Sequence, residues 1–467
     1  MKNTSKQIIT VMATITVVAI VSFFVIVPAI KIASIKKAIL EIQQMPGFEG
    51  STVVVNAKYN GDKNNIISEN EMALIHPGSN YKLLTAAASL FYLKPDFTFK
   101  TGFYVFEDGG KKNLIIEGHG DPTLRLEEIQ TIAAHIKDKK IFIDGDLYYY
   151  NGYFYGEKYG PDWKSEWKDV HFAVPITALQ IGDNLLYIEG KGRIFETYPL
   201  KNYQPIIDRR KLVNKKQNAY KVSAVMAENG TVTIEGETSG DNEFYTSANI
   251  KDPSLITAKV FKQEFVSFEI MRSEARVLPF KSAKAKRFIY EYSSAPLSEI
   301  VRRMLTFSKN NFGETLIRVL GNGSQKIGAE VLKKFLVKEV GIAAEDFIGV
   351  DGSGMSPATR ITGRVIMRLF DYVNAQSWKD VYWDALPTSN NEGTLMYRFL
   401  GVGLENKVIA KTGTHDFASS LSGKIIRKSD EILFDIHIFN HKIPSENIGI
   451  AVHPVVDMVV KLLDERL

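Results

Sequence analysis

Ser79-Asn80-Tyr81-Lys82 sets a hydroxyl and an amine three residues apart. Pro77-Gly78 stops the chain just before an apolar, Ala-rich run, Tyr81 to Leu93, and this predicts a helix opening at the serine. Residues three apart on a helix share a face, so Lys82 is expected beside the Ser79 hydroxyl. A serine hydroxyl is a weak nucleophile until a base takes its proton. Lys82 can be that base if burial and the positive helix N-terminus lower its pKa. The chemistry implied is covalent catalysis at Ser79.

The spacing alone carries little information. Ser34 to Lys37 and Ser165 to Lys168 show it too. Two further triplets belong to the same chemistry, and both also occur by chance. Ser-x-Asn recurs, as at Ser68, Ser247, Ser308 and Ser389, and Lys-Thr-Gly appears at Lys100 and Lys411. Order separates signal from noise. Ser79-x-x-Lys82, then Ser308-Lys309-Asn310, then Lys411-Thr412-Gly413-Thr414 follow the order of the β-lactamase and penicillin-binding motif set.

The elements that must hold these triplets can be read in outline. A short amphipathic helix, Lys36 to Met45, leads to a strand, Ser51 to Ala57. From about 96 to 284 short β-like stretches dominate, such as Asn113 to Glu117, Ile141 to Tyr149 and Thr231 to Glu235, broken by Gly, Asn and Asp turns. Helical periodicity returns at Pro296 to Leu305, Phe312 to Leu320, Ala329 to Val340 and Thr362 to Val373. Strands follow at Lys407 to Ala410, Leu421 to Ile426 and Ile432 to Phe439, then a last helix, Pro454 to Leu463. The simplest architecture is an α/β domain split by a long β-rich insertion.

Composition narrows the rest. With 467 residues, 45% hydrophobic and 24% charged, the chain has material for two or three domains. A net charge of +5 without a basic run gives nucleic-acid binding little support. The absence of cysteine excludes disulfides, thiolate metal sites and a cysteine nucleophile. The eight histidines show no metal-ligand spacing, so no metal or cofactor is expected, and His76, His119 and His415 are given no catalytic role. Tyr148-Tyr149-Tyr150 reads as strand packing. Residues 8 to 30 carry no charge and are long enough to cross a bilayer. No small-x-small cleavage site follows, so an uncleaved single-pass anchor is expected. Lysines flank the span on both sides, so the positive-inside rule leaves its orientation open.

Beyond the triplets, the chain resembles the penicillin-binding protein 4 family of D-alanyl-D-alanine carboxypeptidases and endopeptidases. The resemblance rests on Pro77 to Ala88, Glu117 to Leu124, Ala173 to Asn184, Ser308 to Leu316, Asp351 to Ser356, Leu386 to Leu395 and Lys411 to Gly423. It implies a penicillin-binding/β-lactamase-like transpeptidase domain, an antiparallel sheet with helices, built from 38–95 and 285–467. It places 96–284 as a two-part insertion, with an outer part (96–184 and 251–284) and an inner part (185–250). Residues 1–37 would form a cytoplasmic tail and membrane anchor, with the catalytic domain outside the cytoplasmic membrane.

The resemblance also implies roles. Ser79 attacks the carbonyl of the penultimate D-alanine of peptidoglycan stem peptides, and Lys82 takes its proton. Ser308 relays a proton to the leaving amine, and Asn310 holds the peptide backbone. Lys411 offers charge to the terminal carboxylate and Thr412 a hydrogen bond, while Gly413 lets substrate approach the strand. Backbone N–H groups of Ser79 and Thr414 form the oxyanion hole. Asp169 and Arg360 match an acid and an arginine that hold a diaminoacid side chain, and both read equally well as solvated surface charges. β-Lactams are the expected inhibitors. Tyr81 stands where a smaller residue is common and is expected to crowd the cleft. His415 and Asp416 replace the usual apolar start after the Lys-Thr-Gly-Thr run, which bears on side-chain preference. A β-lactamase or esterase of the same fold, and a silent wall-binding scaffold, are the competing readings.

Overall fold

The computed structural model describes residues 27–191, 194–198, 207–214, 221–238, 243–281 and 286–467. Its central sheet has five antiparallel strands in the order Val408–His415, Ala418–Ile426, Glu431–Phe439, Thr52–Tyr59 and Ile67–Glu69. Because successive side chains leave a strand on opposite faces, the apolar run at 53–57 serves two layers. Val53, Val55 and Ala57 join a cluster with Ile35, Ile39 and Ile42 of the helix Val27–Ile42 and with Val456 and Val459 of the helix His453–Arg466. Val54 faces the other way, into a core made by the helices Tyr81–Leu93, Leu297–Thr306, Asn310–Leu320, Gln325–Lys338 and Arg364–Asn374. The result is a sheet between two helical layers, the α/β architecture expected.

The first of these helices is already formed at Val27, ahead of the periodicity at Lys36, and the boundary expected after residue 37 falls inside it. Its three buried isoleucines fix it to the sheet, each contributing about 1.5–3 kcal/mol on full burial. The apolar span at 8 to 30 lies almost entirely outside the described residues. Among the described residues no helix is long and apolar enough to cross a membrane.

A second five-stranded sheet has the order Val277–Pro279, Leu147–Tyr150, Lys111–Gly118, Thr98–Asp108, Arg287–Pro296. Two helices, Leu126–Asp138 and Pro253–Ser267, pack on it through Ile129, Ile132, Ile136, Phe261 and Phe265. The β-dominated reading of this region passed over both helices. The second has a clear start signal: Asp252 accepts a hydrogen bond from Leu255 N–H, and Pro253 follows it. Of the expected strand Ile141 to Tyr149, only Leu147–Tyr150 forms, and it contains the tyrosine run. Two three-stranded sheets, in the orders Lys221–Met226, Val232–Thr238, Ile207–Asn214 and Phe244–Asn249, Leu185–Lys191, Ile194–Tyr198, contribute residues to the same hydrophobic core.

Chain between these sheets reaches back to the first core. Lys309 pairs with Asp183 at 2.8 Å, Gln180 donates to Thr315 Oγ1 at 3.2 Å, and Arg318 donates to the Glu157 carbonyl at 3.0 Å. The helix Asn310–Leu320 is thereby held from both sides.

Candidate active site

The serine turn is shaped by its neighbours. Pro77 leads into a single 3-10 turn, Gly78–Asn80, which runs directly into the helix Tyr81–Leu93. Gly78 has φ +53°, a left-handed value that favours glycine, and a Cβ there would lie 2.8 Å from the Thr414 backbone nitrogen. The turn therefore packs on the strand that carries the Lys-Thr-Gly triplet. Ser79 remains partly exposed, while Lys82, one turn on, is fully buried.

Lys82 Nζ lies 2.8 Å from Ser79 Oγ, 2.6 Å from Asn310 Oδ1 and 2.9 Å from the Ser353 carbonyl. Burial strips water from the ammonium and lowers its pKa to about 7, against the opposing pull of Asp351 and Glu314. An amine in that range can hold or accept a proton near neutral pH.

Ser308 sits between two helices with φ +58°, uncommon for a residue with a side chain. Its hydroxyl meets Lys411 Nζ at 2.9 Å, and Lys411 also donates to the Thr412 carbonyl at 2.8 Å. Lys411 is buried too. Burial, and then the charge of Lys82, push its pKa well below the usual lysine value. Asn310 opens its helix and donates to the Phe172 carbonyl and to Met355 Sδ, both at 2.8 Å. The three triplets thus converge, although nothing in their sequence separation requires it. The chance matches lie elsewhere: Lys100-Thr101-Gly102 is inside a strand of the second sheet, and Ser165 to Lys168 forms a 3-10 turn.

The strand Val408–His415 is the edge of the central sheet. Its first residues are covered, with Ser389 N–H donating to Val408 O and Ala410 N–H to Pro387 O. Residues 411–415 continue the edge beyond that cover, with Thr414 exposed. Thr412 Oγ1 donates to Thr394 Oγ1 at 2.9 Å. Gly413 has a different reason from the one expected of it. A Cβ there would lie 2.1 Å from Ser420 Oγ, 2.5 Å from the Pro77 carbonyl and 3.0 Å from Asn80 N, so the glycine lets strand and serine turn touch.

Tyr81 does not crowd the cleft. It is fully buried beneath Gly349, where a Cβ would lie 1.9 Å from the tyrosine hydroxyl. Asp169 and Arg360 are each engaged by other groups. Asp169 is ion-paired with Lys251, while Arg360 donates to the carbonyls of Pro357 (2.7 Å) and Thr359 (2.8 Å) over the Phe439 ring.

Sequence reasoning missed the charges behind the site. Glu314 Oε1 accepts from Gly352 N–H (2.9 Å), Ser353 N–H (3.0 Å) and Ser353 Oγ (2.8 Å), fixing the carbonyl that meets Lys82. Asp351 accepts from Gly354 N–H and Ser356 N–H, and burial raises its pKa, with Glu314 adding to the rise. The available signal was the i, i+4 spacing of Glu314 and Arg318.

Known proteins resemble this chain along most of their length. A D-alanyl-D-alanine carboxypeptidase of Actinomadura sp. (strain R39) is 25% identical over 449 residues, covering 89% of this chain and 82% of that protein. A D-alanyl-D-alanine carboxypeptidase of Haemophilus influenzae is 24% identical, covering 85% and 87%. Among solved structures, penicillin-binding protein 4 of Haemophilus influenzae superposes with a TM-score of 0.78 at 21% identity, covering 91% of this chain and 98% of that one. A predatory endopeptidase of Bdellovibrio bacteriovorus, solved with its immunity protein, gives a TM-score of 0.53 at 16% identity, covering 89% and 94%. These likenesses establish a penicillin-binding type of fold. The model of the D-Ala-D-Ala carboxypeptidase 3 (S13) family matches residues 35–451, which include all three triplets, and this chain belongs to that family.

Proposed function

We infer that this protein is a serine-type D-alanyl-D-alanine carboxypeptidase, with endopeptidase action on cross-linked stem peptides, working through an acyl-enzyme on Ser79. The observation that carries the reading is Lys82 Nζ, within hydrogen-bond distance of both Ser79 Oγ and Asn310 Oδ1 and held near neutrality by burial.

Ser79 Oγ adds to the carbonyl of the penultimate D-alanine and its proton passes to Lys82. The oxyanion faces the N–H groups of Ser79 and Thr414. Losing one such donor typically slows acyl transfer by about 10²–10³-fold. The C–N bond then breaks, the leaving amine takes a proton through Ser308, and water later releases the acyl group. The peptide adds to the sheet edge at 411–415 as a further strand, with Asn310 and Thr412 as polar contacts. The terminal carboxylate favours the charged form of Lys411, offsetting the burial that opposes it. Asp169 and Arg360 complement a zwitterionic diaminoacid end.

β-Lactams follow the same first step, and their acyl-enzyme persists. Glu314 and Asp351, the carboxylates that act on Lys82, are buried and committed to backbone N–H groups, so neither is free to activate water. The test of the reading is D-alanine release from a D-Ala-D-Ala peptide by wild type and by Ser79→Ala. Equal release by the two proteins overturns it.

We also propose that 96–284 is an insertion into a domain made of 38–95 and 285–467. Support comes from one hydrophobic cluster confined to residues 103–289, while the clusters against the central sheet draw on 35–99 and 297–463. The apolar run 8–30 is proposed as a retained anchor that keeps the catalytic domain on the outer face of the cell membrane, where the substrate is. An N-terminus near Lys31 in protein isolated from cells would contradict that.

A further inference from the structure

We propose that His76 and His415 form a positioning clamp that locks the Ser79 turn and the end of the Lys-Thr-Gly strand onto the loop 351–356, in the geometry acylation requires. The inference rests on Ser79 as the acylated residue.

His76 precedes the serine turn and is buried, 3% exposed. Its Nδ1 accepts the Gly78 N–H at 3.0 Å, and Nε2–H donates to the Ser356 carbonyl at 3.0 Å. Its bond to the N–H two residues on is the one an Asn or Asp side chain makes in an Asx turn. His415 ends the strand, and its Nε2 lies 3.1 Å from the carbonyl of Met355, the residue before Ser356. The two rings pack against each other, with centroids 3.9 Å apart and planes tilted by 32°, and Trp167 makes a T-shaped contact with His415. Two imidazoles from distant parts of the chain therefore grip adjacent carbonyls of one loop. That loop supplies the Ser353 carbonyl to Lys82 and the Met355 sulfur to Asn310. The clamped turn packs Gly78, the neighbour of Ser79, against Thr414, and Ser79 and Thr414 supply the N–H groups of the proposed oxyanion hole.

The clamp requires a neutral His76, since a proton on Nδ1 would remove the acceptor for Gly78. The surroundings supply this. Burial lowers its pKa to about 3, with His415 and Arg360 acting the same way against the hydrogen bond to Ser356 and the weaker pull of Asp416. Burial also lowers His415, opposed by its hydrogen bond to Met355 and by Asp416, with Lys164 adding slightly to the fall. Neither ring touches Ser79 Oγ or Lys82 Nζ in the hydrogen bonds described, so both are positioning residues.

The test separates the turn bond from the bulk of the ring. His76→Leu removes the Gly78 acceptor, whereas His76→Asn restores it through Oδ1 while giving up the Ser356 bond and the stacking. Pre-steady-state acylation by penicillin gives the rate constant at saturation and the dissociation constant of the preceding complex. His76→Leu is expected to lower the rate constant by roughly 10–100-fold, the scale of a small misplacement of reacting groups, with the dissociation constant changed less than about twofold, as for an interaction made only in the transition state. His76→Asn should recover most of the rate even if its unfolding midpoint matches that of His76→Leu. Equal rates for Leu and Asn, whether normal or impaired, overturn the proposal. Imidazole ¹⁵N NMR of wild type provides a check independent of folding of the variants. His76 should show an Nε2–H tautomer with an accepting Nδ1 throughout pH 5–8, and protonation of His76 in that range also overturns the clamp. If wild type forms no adduct on Ser79, the acyl-enzyme reading falls instead, and the NMR tautomer still decides whether the clamp exists.

Discussion

Glu314 and Arg318, one helical turn apart, form an ion pair sealed from solvent behind Lys82, at 0% and 1% side-chain exposure. The carboxylate also receives three hydrogen bonds from the loop that meets Lys82. Removing one partner of such a pair leaves an uncompensated buried charge, which costs about 3–5 kcal/mol. Glu314→Ala should therefore lower the chemical-unfolding free energy by that order and impair acylation in the fraction that folds. Glu314→Gln keeps an acceptor for the loop and should be hurt less. A Glu314→Ala protein with wild-type stability contradicts this account of the pair.

Lys82 should set the acid limb of the reaction. Its folded pKa of about 7 lies below the ordinary lysine value, and the base form is the neutral amine. Below pH 7 the ammonium dominates, so acylation should fall about tenfold per pH unit there and level off above pH 8. Lys82→Arg carries a guanidinium that keeps its proton. Its acylation should drop by about 10²–10⁴-fold, the usual worth of a general base. Near-normal labelling of Lys82→Arg, or a flat profile from pH 5 to 8, would move the base elsewhere.

Gly413→Ala tests the contact between strand and turn. The added methyl meets Ser420 Oγ, the Pro77 carbonyl and Asn80 N at once, and two of these are backbone atoms with little room to yield. Overpacking of this kind costs about 1–3 kcal/mol. Acylation should fall further than stability does, by about 10²-fold, because the strain falls on the nucleophile turn. A variant that is destabilised but acylates at the normal rate shows that the contact is structural only.

For Asp169 and Arg360 the comparison is between substrates. Asp169 is half-exposed and already paired with Lys251, so a substrate ammonium must compete for it. Asp169→Ala and Arg360→Ala should lower kcat/KM more on a peptide with a free diaminoacid terminus than on its blocked counterpart. Equal losses on both peptides place the specificity pocket elsewhere.

The three triplets that converge were legible because chain order singles out one Ser-x-x-Lys, one Ser-x-Asn and one Lys-Thr-Gly from several chance copies. The helix Tyr81–Leu93 was readable from Pro77-Gly78 and an alanine-rich run, although it starts two residues past the serine expected to open it. The strand Val408–His415 extends well past the four residues read as strand, because Thr and Gly at 412–414 break the apolar pattern. Glu314, Arg318 and Asp351 stayed hidden, since a buried charge looks like a solvated one until its partners are known. The pairing of His76 with His415 was equally invisible, as each is a lone histidine in its own segment. Tyr81 was misread for the converse reason. Its position between Ser79 and Lys82 places it near the cleft along the chain, but the helix turns its side chain into the core.

The most direct measurement is intact-mass and peptide mass spectrometry of the protein after exposure to penicillin. The account predicts a single, long-lived adduct on the peptide containing Ser79, absent from a folded Ser79→Ala variant. An adduct on another residue, or none on folded wild type, would contradict the assignment of Ser79 as the acylated nucleophile.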